Sequence, residues 1–309
     1  MISFATTTVF GVDWIFLKPY IVLGLALGGV YALSGVGVVV LYQATGVLNL
    51  AFGAIGAAGA LIAYYLVNHT SWPHWLAYLT CVLFGAVVNV VYGMVLGPAF
   101  AGRDPLVKMM GTLALALILL GVMAWRAPAG GAFVRVLQLP TSNHRYTVFG
   151  AAVNLTQILA LAFALVLTVG TTAFLRYTKI GTAMRALASD REITATLGVP
   201  VRKVELVAWL GSGLVCGGAG LLLADLFTSL DYTALTFLVI SSLAAALIGR
   251  LRSLWVTLAG GLAVGLAQAV ATPYASISAY RTGAPFVLAI VALLYLGRHR
   301  TVTLSRTAG

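Results

Sequence analysis

The chain has 309 residues, of which 61% are hydrophobic and only 8% are charged, with 18 Lys and Arg against seven Asp and Glu. Its mean hydropathy is +1.04. Soluble domains carry about 25% charged residues, so this composition excludes an ordinary soluble enzyme. The net charge of +11 would suggest a nucleic-acid partner only on a polar surface, and apolar stretches interrupt it throughout, so no such partner is expected.

Apolar stretches long enough to cross a membrane recur along the chain, which predicts an all-α, polytopic transmembrane helix bundle forming one permease-like domain over residues 1–309. Eight or nine spans are expected, because the second candidate is weak at Thr45, Gly46 and Asn49 and the last one is short. The candidates cover residues 20–41, 45–67, 75–97, 107–125, 153–175, 205–227, 233–249, 254–272 and 284–297.

Positive residues are distributed unequally between the two sides of this bundle, thirteen against five. One side holds Arg103, Lys108, Arg176, Lys179, Arg185, Arg191, Arg202, Lys203, Arg250, Arg252, Arg298, Arg300 and Arg306, and the other holds Lys18, Arg126, Arg135, Arg145 and Arg281. Because short cytoplasmic loops retain positive residues, the sequence predicts an outside N-terminus and a cytoplasmic C-terminus. Anionic membrane lipid would reinforce this asymmetry.

Two connections between the spans are long. Residues 126–152 lie on the outer side and are rich in Pro, Gly and Asn, which predicts an irregular external loop over the outer mouth. Residues 176–204 lie on the cytoplasmic side. There Ser189 and Glu192 match an S-x-x-E capping box, and Gly198 followed by Pro200 predicts the end of a short helix.

Ile193 and Leu197 lie one turn apart on a single face of this short helix. A helix of two turns is marginal by itself, so we expect it to dock against something. It could lie on the bilayer or under its own bundle. Alternatively it could insert in a groove of a cytoplasmic partner, with Arg185, Arg191 and Arg202 steering the association.

Small residues recur four apart in several spans, which predicts close approach of membrane helices. The pairs are Gly24 and Gly28, Gly53 and Ala57, Gly213 and Gly217, and Gly261 and Gly265.

Asn49 lies in an apolar run just after the weak start of the second span. A broken membrane helix leaves backbone groups free for a polar substrate, although the amide could equally bond to a neighbouring helix. Tyr42 and Gln43 flank this break, and together with Asn49 and Gly53 they are candidate pathway residues. Asp225 is a further candidate, because it is the acid that lies well within a span, but a position at the membrane interface is its alternative.

Two segments carry a resemblance to a known family. They are T-G-V-L-N-L-A-F-G at residues 45–53, and K-I-G-T-A-M-R-A-L-A-S-D-R-E-I-T-A-T-L-G-V followed by A-W-L-G-S-G-L-V-C-G-G-A-G within residues 178–220. The chain resembles the membrane permeases of ABC importers for branched-chain amino acids, the Liv type, and more distantly the ribose-type sugar permeases. The resemblance runs over residues 20–297.

This resemblance implies a subunit of the inner membrane of a bacterium that pairs with a second permease, two cytoplasmic ATPase subunits and an external binding protein. The cargo would be a branched-chain amino acid, with urea, short amides or small aromatic acids as alternatives. The loop at residues 176–204 would couple to the ATPases. Its coupling residues would be Arg185, Ser189, Arg191, Glu192, Ile193, Leu197 and Gly198.

The chain has no G-x-x-x-x-G-K-[ST] phosphate loop, so we expect no catalysis and no cofactor of its own, with ATP hydrolysed by partner subunits. No His lies at metal-ligand spacing from another His, Cys or acid, so no metal site is expected. The alternative to an importer is an ion-coupled secondary transporter or channel, which would use intramembrane acids or His.

The sequence departs from the pattern of the resembled family at several places, two of which bear on the pathway and on the cytoplasmic side. Phe52 and Ala54 replace positions that are often polar or acidic there, which favours a less polar pathway lining. Arg250 and Arg252 stand where the family tends to carry Gly, and they could contact the ATPase or lipid phosphates.

Overall fold

Helices occupy each of the nine predicted spans, so the all-α polytopic bundle is confirmed. The computed structural model describes residues 8–9, 12–70, 72–99, 103–127, 135–148, 151–227, 229–274 and 283–297. Within that part of the chain, seven helices are long and apolar enough to cross a membrane, and Tyr232–Ile248 and Ala284–Tyr295 are shorter apolar helices.

The elements follow one another as helices with two short hairpins. The helices are α1 (Trp14–Thr45), α2 (Phe52–His69), α3 (His74–Ala99), α4 (Pro105–Arg126), α5 (Leu155–Tyr177), α6 (Lys179–Ser189), α7 (Arg191–Thr196), α8 (Val201–Leu226), α9 (Tyr232–Ile248), α10 (Leu254–Ala271) and α11 (Ala284–Gly297). The strands are β1 (Thr8–Val9), β2 (Val12–Asp13), β3 (Arg145–Val148) and β4 (Ala151–Asn154), and a 3₁₀ helix covers Pro140–Asn143.

Successive long helices run in opposite directions between two ends of the bundle. The hairpin end holds residues 126–127, 135–148, 151–156, 226–227 and 229–232, and there the Tyr65 hydroxyl donates to the carbonyl of Arg126 at 3.1 Å. The basic end holds residues 42–46, 178–200 and 249–253, where the Gln43 amide donates to the carbonyl of Arg252 at 2.8 Å. The two loops predicted to be long therefore lie at opposite ends of the bundle.

The predicted irregular external loop contains a regular hairpin. Strands β3 and β4 pair antiparallel, with Tyr146 opposite Val153 and Thr147 opposite Ala152. Aromatic and β-branched residues favour strands, and the Pro and Gly residues nearby obscured this short pattern. Residues 128–134 and 149–150 of the same loop lie outside the described residues.

The second span begins later than predicted. Helix α1 ends at Thr45 and α2 begins at Phe52, so residues 46–51 separate them. Gly46 adopts a φ of +70°, in the left-handed region that favours glycine, which turns the chain at this point. The break therefore lies inside the segment that the sequence predicts as helix from residue 45.

Glycines bring the central helices close together, as the sequence predicts. A Cβ on Gly265 of α10 would collide with the backbone of Gly28 in α1, and a Cβ on Gly213 of α8 would collide with the backbone of Gly85 in α3. The Cβ of a larger residue would force these helices apart. The small residues thus set the helix packing that positions the loops of the basic end.

Candidate functional site

The connection between α5 and α8 folds as two short helices at the basic end. Thr178 begins α6, and its hydroxyl accepts a hydrogen bond from the N–H of Gly181 at 3.0 Å. Asp190 begins α7, and its carboxylate accepts from the N–H of Ile193 at 2.9 Å. Gly198 has a φ of +81° just past α7, which confirms the predicted end of the helix.

The capping box predicted at Ser189 and Glu192 is wrong, because Asp190 caps α7. Ser189 instead ends α6, where its hydroxyl donates to a carbonyl within that helix at 3.3 Å. Met184 and Leu187 are buried on the inner face of α6, and this packing extends α6 to Ser189. Glu192 still lies in the first turn of α7, where a negative charge favours the helix.

Helix α7 turns its apolar side chains away from the bundle. Ile193 is 60% exposed and Leu197, which directly follows α7, is 78% exposed, whereas Thr194 between them is 4% exposed. This exposure excludes the alternative in which the two side chains pack under the chain's own bundle. An exposed apolar pair on a helix is typical of a surface that binds another molecule.

Basic side chains surround α7. Arg191 Nη1 lies 2.5 Å from Glu205 Oε1, and this ion pair joins α7 to the first turns of α8. Such a partly exposed pair contributes little stability, of order 0–1 kcal/mol, so its main effect is to orient α7. Arg185 and Arg202 are exposed on the same end of the bundle.

An open cavity of about 820 Å³ lies beside these helices at the basic end. Its walls come from residues 42–46 at the end of α1, from the junction of α6 and α7, and from residues 250–252 between α9 and α10. Arg250 and Leu251 both have a φ of 55°, which non-glycine residues adopt at a cost of about 1–3 kcal/mol. A glycine would adopt this conformation more easily than Arg250 or Leu251 does.

The break between α1 and α2 is held by a closed set of buried hydrogen bonds. The Asn49 amide group donates to the side-chain oxygen of Asn89 in α3 at 2.8 Å, and the Asn49 side-chain oxygen accepts from the N–H of Ala51 at 3.0 Å. Asn89 in turn donates to the carbonyl of Gly85 at 2.9 Å. The Thr112 hydroxyl of α4 accepts from the N–H of Leu50 at 3.1 Å. These amides therefore join helices, and their hydrogen bonds are made within the chain.

We expect Asn89→Ala to lower the free energy of unfolding by about 1–3 kcal/mol, because it leaves the buried Asn49 amide group without its acceptor. The double variant Asn49→Ala/Asn89→Ala should cost less than the sum of the single variants, by about 0.5–3 kcal/mol. Thermal unfolding of the four proteins in one detergent measures this difference. Additive effects would show that the two amides act independently.

Asp225 lies near the end of α8, at the hairpin end. Its carboxylate accepts from the N–H of Leu139 at 2.7 Å, and the hydroxyl of Thr156 hydrogen-bonds to that of Thr141 at 2.7 Å. Leu139 precedes the 3₁₀ helix, and Thr156 lies in the first turn of α5. The carboxylate thus joins the segment at residues 135–143 to α8, and the Thr141–Thr156 pair joins it to α5.

The five candidate pathway residues occupy three separate places. Tyr42 and Gln43 line the cavity at the basic end. Asn49 and Gly53 lie at the break between α1 and α2, where the backbone of Gly53 packs against the carbonyl of Thr236 in α9. Asp225 lies at the opposite, hairpin end. The structure therefore brings together the residues around the break but leaves Asp225 apart from them.

A family of membrane proteins matches nearly the whole of this helical region. The family described as the branched-chain amino acid transport system permease component matches residues 20–296. The chain belongs to this permease family. The matched range includes the break at residues 46–51, the loop with α6 and α7, and all of the helical spans except the first residues of α1 and the last residue of α11.

The permease is also similar to curated proteins over most of its length. It is 28% identical over 261 residues to a probable branched-chain amino acid transport permease protein LivH of Methanocaldococcus jannaschii, covering 81% of this chain and 79% of that one. Identity is 22% over 287 residues with the high-affinity LivH permease of Escherichia coli K12, and 24% over 284 residues with BraD of Pseudomonas aeruginosa. Both of these matches cover 88% of this chain and 91% of the relative.

Membership of this family favours a permease of an ABC transporter over the ion-coupled alternative.

We expect Asp225→Ala to destabilise the segment at residues 135–143, because a hydrogen bond to a charged group contributes about 1.5–3 kcal/mol. Uptake by the permease should persist, because the carboxylate holds a loop and not a coupling ion. Limited proteolysis and uptake of the same variant measure both effects, and complete loss of uptake in a stably folded variant would restore Asp225 as a coupling acid.

Sequence analysis missed several residues that build the basic end and the break. Asn89 and Thr112 are polar residues in apolar runs, so their positions within spans were a signal that they need buried partners. Asp190 was hidden by the competing S-x-x-E pattern. The conformation of Leu251 had no signal in its own residue type, because leucine rarely adopts a positive φ.

Proposed function

We propose that this permease is one of two membrane subunits of an ATP-driven importer for branched-chain amino acids in the inner membrane of a bacterium. Two cytoplasmic ATPase subunits would hydrolyse ATP, and an external binding protein would deliver the cargo. The chain would hold no cofactor of its own. Its family membership and the names of the LivH and BraD relatives support this proposal.

The proposed topology has nine spans, with the hairpin end outside and the basic end in the cytoplasm. The alternating direction of the helices supports nine spans, since α9 and α11 are apolar although short. Of the described basic residues, ten belong to the side of the basic end and four to the side of the hairpin end, which supports the orientation. Arg281, Arg298, Arg300 and Arg306 lie outside the described residues.

The exposed apolar pair on α7 carries the proposal. Ile193 and Leu197 project from the basic end on a helix whose two ends are fixed by Asp190 and Gly198. We assign residues 176–204 as the coupling loop and propose that a groove of an ATPase subunit receives this pair. ATP-driven closure of the ATPases would then move α7 and shift the bundle between outward-open and inward-open states.

Uptake by the purified assembly in proteoliposomes tests this function. With ATP supplied on the side of the basic end, labelled leucine, isoleucine or valine should accumulate, and a protonophore should leave the accumulation unchanged. Competition by urea, a short amide or a small aromatic acid would identify a different cargo of the same transporter. Accumulation that needs an ion gradient and ignores ATP would contradict the proposal.

A further inference from the structure

The cavity at the basic end has an unusual charge composition. Four arginines line it, Arg185, Arg191, Arg250 and Arg252, and its lining contains no Asp or Glu. Among the described residues, Arg191 has an ion-pair partner in Glu205, whereas the other three guanidinium groups have no acid within 4.0 Å. Positive charges that line one open cavity repel each other, and an anion bound between them would lower this repulsion.

The turn between α9 and α10 presents two of these arginines on either side of Leu251. Two backbone hydrogen bonds fix the turn. The N–H of Arg250 donates to the carbonyl of Leu247 at 2.8 Å, and the N–H of Leu251 donates to the carbonyl of Ala246 at 2.9 Å. The Gln43 amide donates to the carbonyl of Arg252 and joins the turn to α1. Arg250 is therefore held in a left-handed conformation that a glycine would adopt more easily.

We propose that this cavity binds a phosphate-bearing anion, which is either the headgroup of an anionic phospholipid or a free phosphate compound. Guanidinium groups match phosphate oxygens through paired N–H donors. A volume of about 820 Å³ exceeds that of one phosphate group and is within the range of cavities that enclose small ligands. Basic pockets between membrane helices at the cytoplasmic surface are typical headgroup sites.

A bound phosphate group would connect three elements that are otherwise joined by few polar contacts. Arg185 belongs to α6, Arg191 to α7, and Arg250 to the turn before α10. One anion shared among them would hold the loop at residues 176–204 against the bundle and so fix the position of α7. The inference rests on the proposed function only in placing the basic end at a membrane surface.

Native mass spectrometry of the full-length chain, with the subunits that copurify in a neutral detergent, tests the site. The protein is titrated with phosphatidylglycerol, with phosphatidylcholine, and with glycerol 3-phosphate as a competitor. We expect preferential binding of phosphatidylglycerol over phosphatidylcholine. Displacement by glycerol 3-phosphate at a similar concentration would identify a free phosphate compound as the source, and resistance to it would identify the lipid.

Substitutions in the turn separate charge from backbone strain. Arg250→Gly/Arg252→Gln should weaken binding of phosphatidylglycerol by about tenfold or more, since each basic residue near an anionic surface contributes to the attraction. Two control variants keep the charge of the cavity. Leu251→Gly relieves similar strain without a change of charge, and Arg176→Gln/Lys179→Gln removes two charges outside the cavity. Both controls should bind phosphatidylglycerol as the unsubstituted protein does. Arg250→Gly suits a φ of 55°, so misfolding is not expected to explain its effect.

Binding of phosphatidylglycerol to the cavity variant as tightly as to the unsubstituted protein would overturn the site. The site would also be overturned if the cavity variant lost its copurifying ATPase subunits while its lipid binding stayed unchanged. That result would show that the cavity docks an acidic protein segment. These results are independent of the proposed transport function. An assembly without ATP-driven uptake could still bind the lipid, so failure of the transport proposal and failure of the anion site are distinguishable.

Discussion

Replacing Ile193 and Leu197 together with aspartate is expected to separate ATP hydrolysis from uptake. The two side chains are 60% and 78% exposed, so their substitution should leave the fold and membrane insertion intact. Their burial in an ATPase groove would contribute roughly 3–6 kcal/mol before ordering costs, which the double variant removes. Uptake of labelled leucine should fall to background, while the ATPase subunits retain basal hydrolysis.

A matched pair of single substitutions controls for the added charge. Leu197→Asp places one acid on the apolar face of α7, and Ala195→Asp places one acid at an exposed position of the same helix on the face opposite Ile193. We expect a large loss of uptake for Leu197→Asp and a small one for Ala195→Asp. Normal uptake by the Ile193 and Leu197 double variant would refute docking through α7.

Gly265→Ala is expected to destabilise the whole bundle. The added methyl group would collide with the backbone of Gly28, at the crossing where α1 and α10 approach most closely through glycines. Helix packing at this crossing has no flexible side chain that could move aside, so overpacking should cost about 1–3 kcal/mol. A lower midpoint of thermal unfolding in detergent and a lower yield of folded protein would be observed.

Gly170→Ala in α5 is the control for this substitution. A Cβ at position 170 meets no atom within 4 Å, so the same change creates no collision. Alanine is favoured over glycine within helices by about 0.5–1 kcal/mol, so this variant should be as stable as the parent or slightly more stable. If Gly265→Ala and Gly170→Ala destabilised the protein equally, close packing would not explain the effect at Gly265.

The bundle could be predicted from the sequence because a membrane span depends on local composition. Each apolar run of about 20 residues must satisfy its own backbone hydrogen bonds as a helix. The glycine pairs gave the correct close approaches for the same reason, since their four-residue spacing already defines one face of a helix. The position of Gly198 was likewise a local signal for the end of α7.

Long-range partners could not be predicted in this way. Asn49 was recognised as an interruption, but its partner Asn89 lies 40 residues away on another helix, and no local pattern connects the two. The cavity at the basic end combines residues from α1, α6, α7 and the turn at Arg250. Its shape depends on how the helices pack, so the sequence indicated the charges without showing that they converge.

The cap of α7 shows how one local pattern can obscure another. Ser189 and Asp190 are adjacent residues that both favour the start of a helix. The choice between them depends on how far α6 continues, and burial of Met184 and Leu187 decides this. Tertiary packing therefore moved the boundary by one residue.

Photo-crosslinking from position 197 in living cells tests whether α7 docks on an ATPase subunit. A photoreactive phenylalanine derivative replaces Leu197, which caps the end of α7 and is 78% exposed, and mass spectrometry identifies the products after irradiation. We expect a covalent adduct with a polypeptide that carries a G-x-x-x-x-G-K-[ST] phosphate loop. Adducts found only with lipid, or only within the permease chain itself, would contradict the assignment of α7 as the helix that couples ATP hydrolysis to transport.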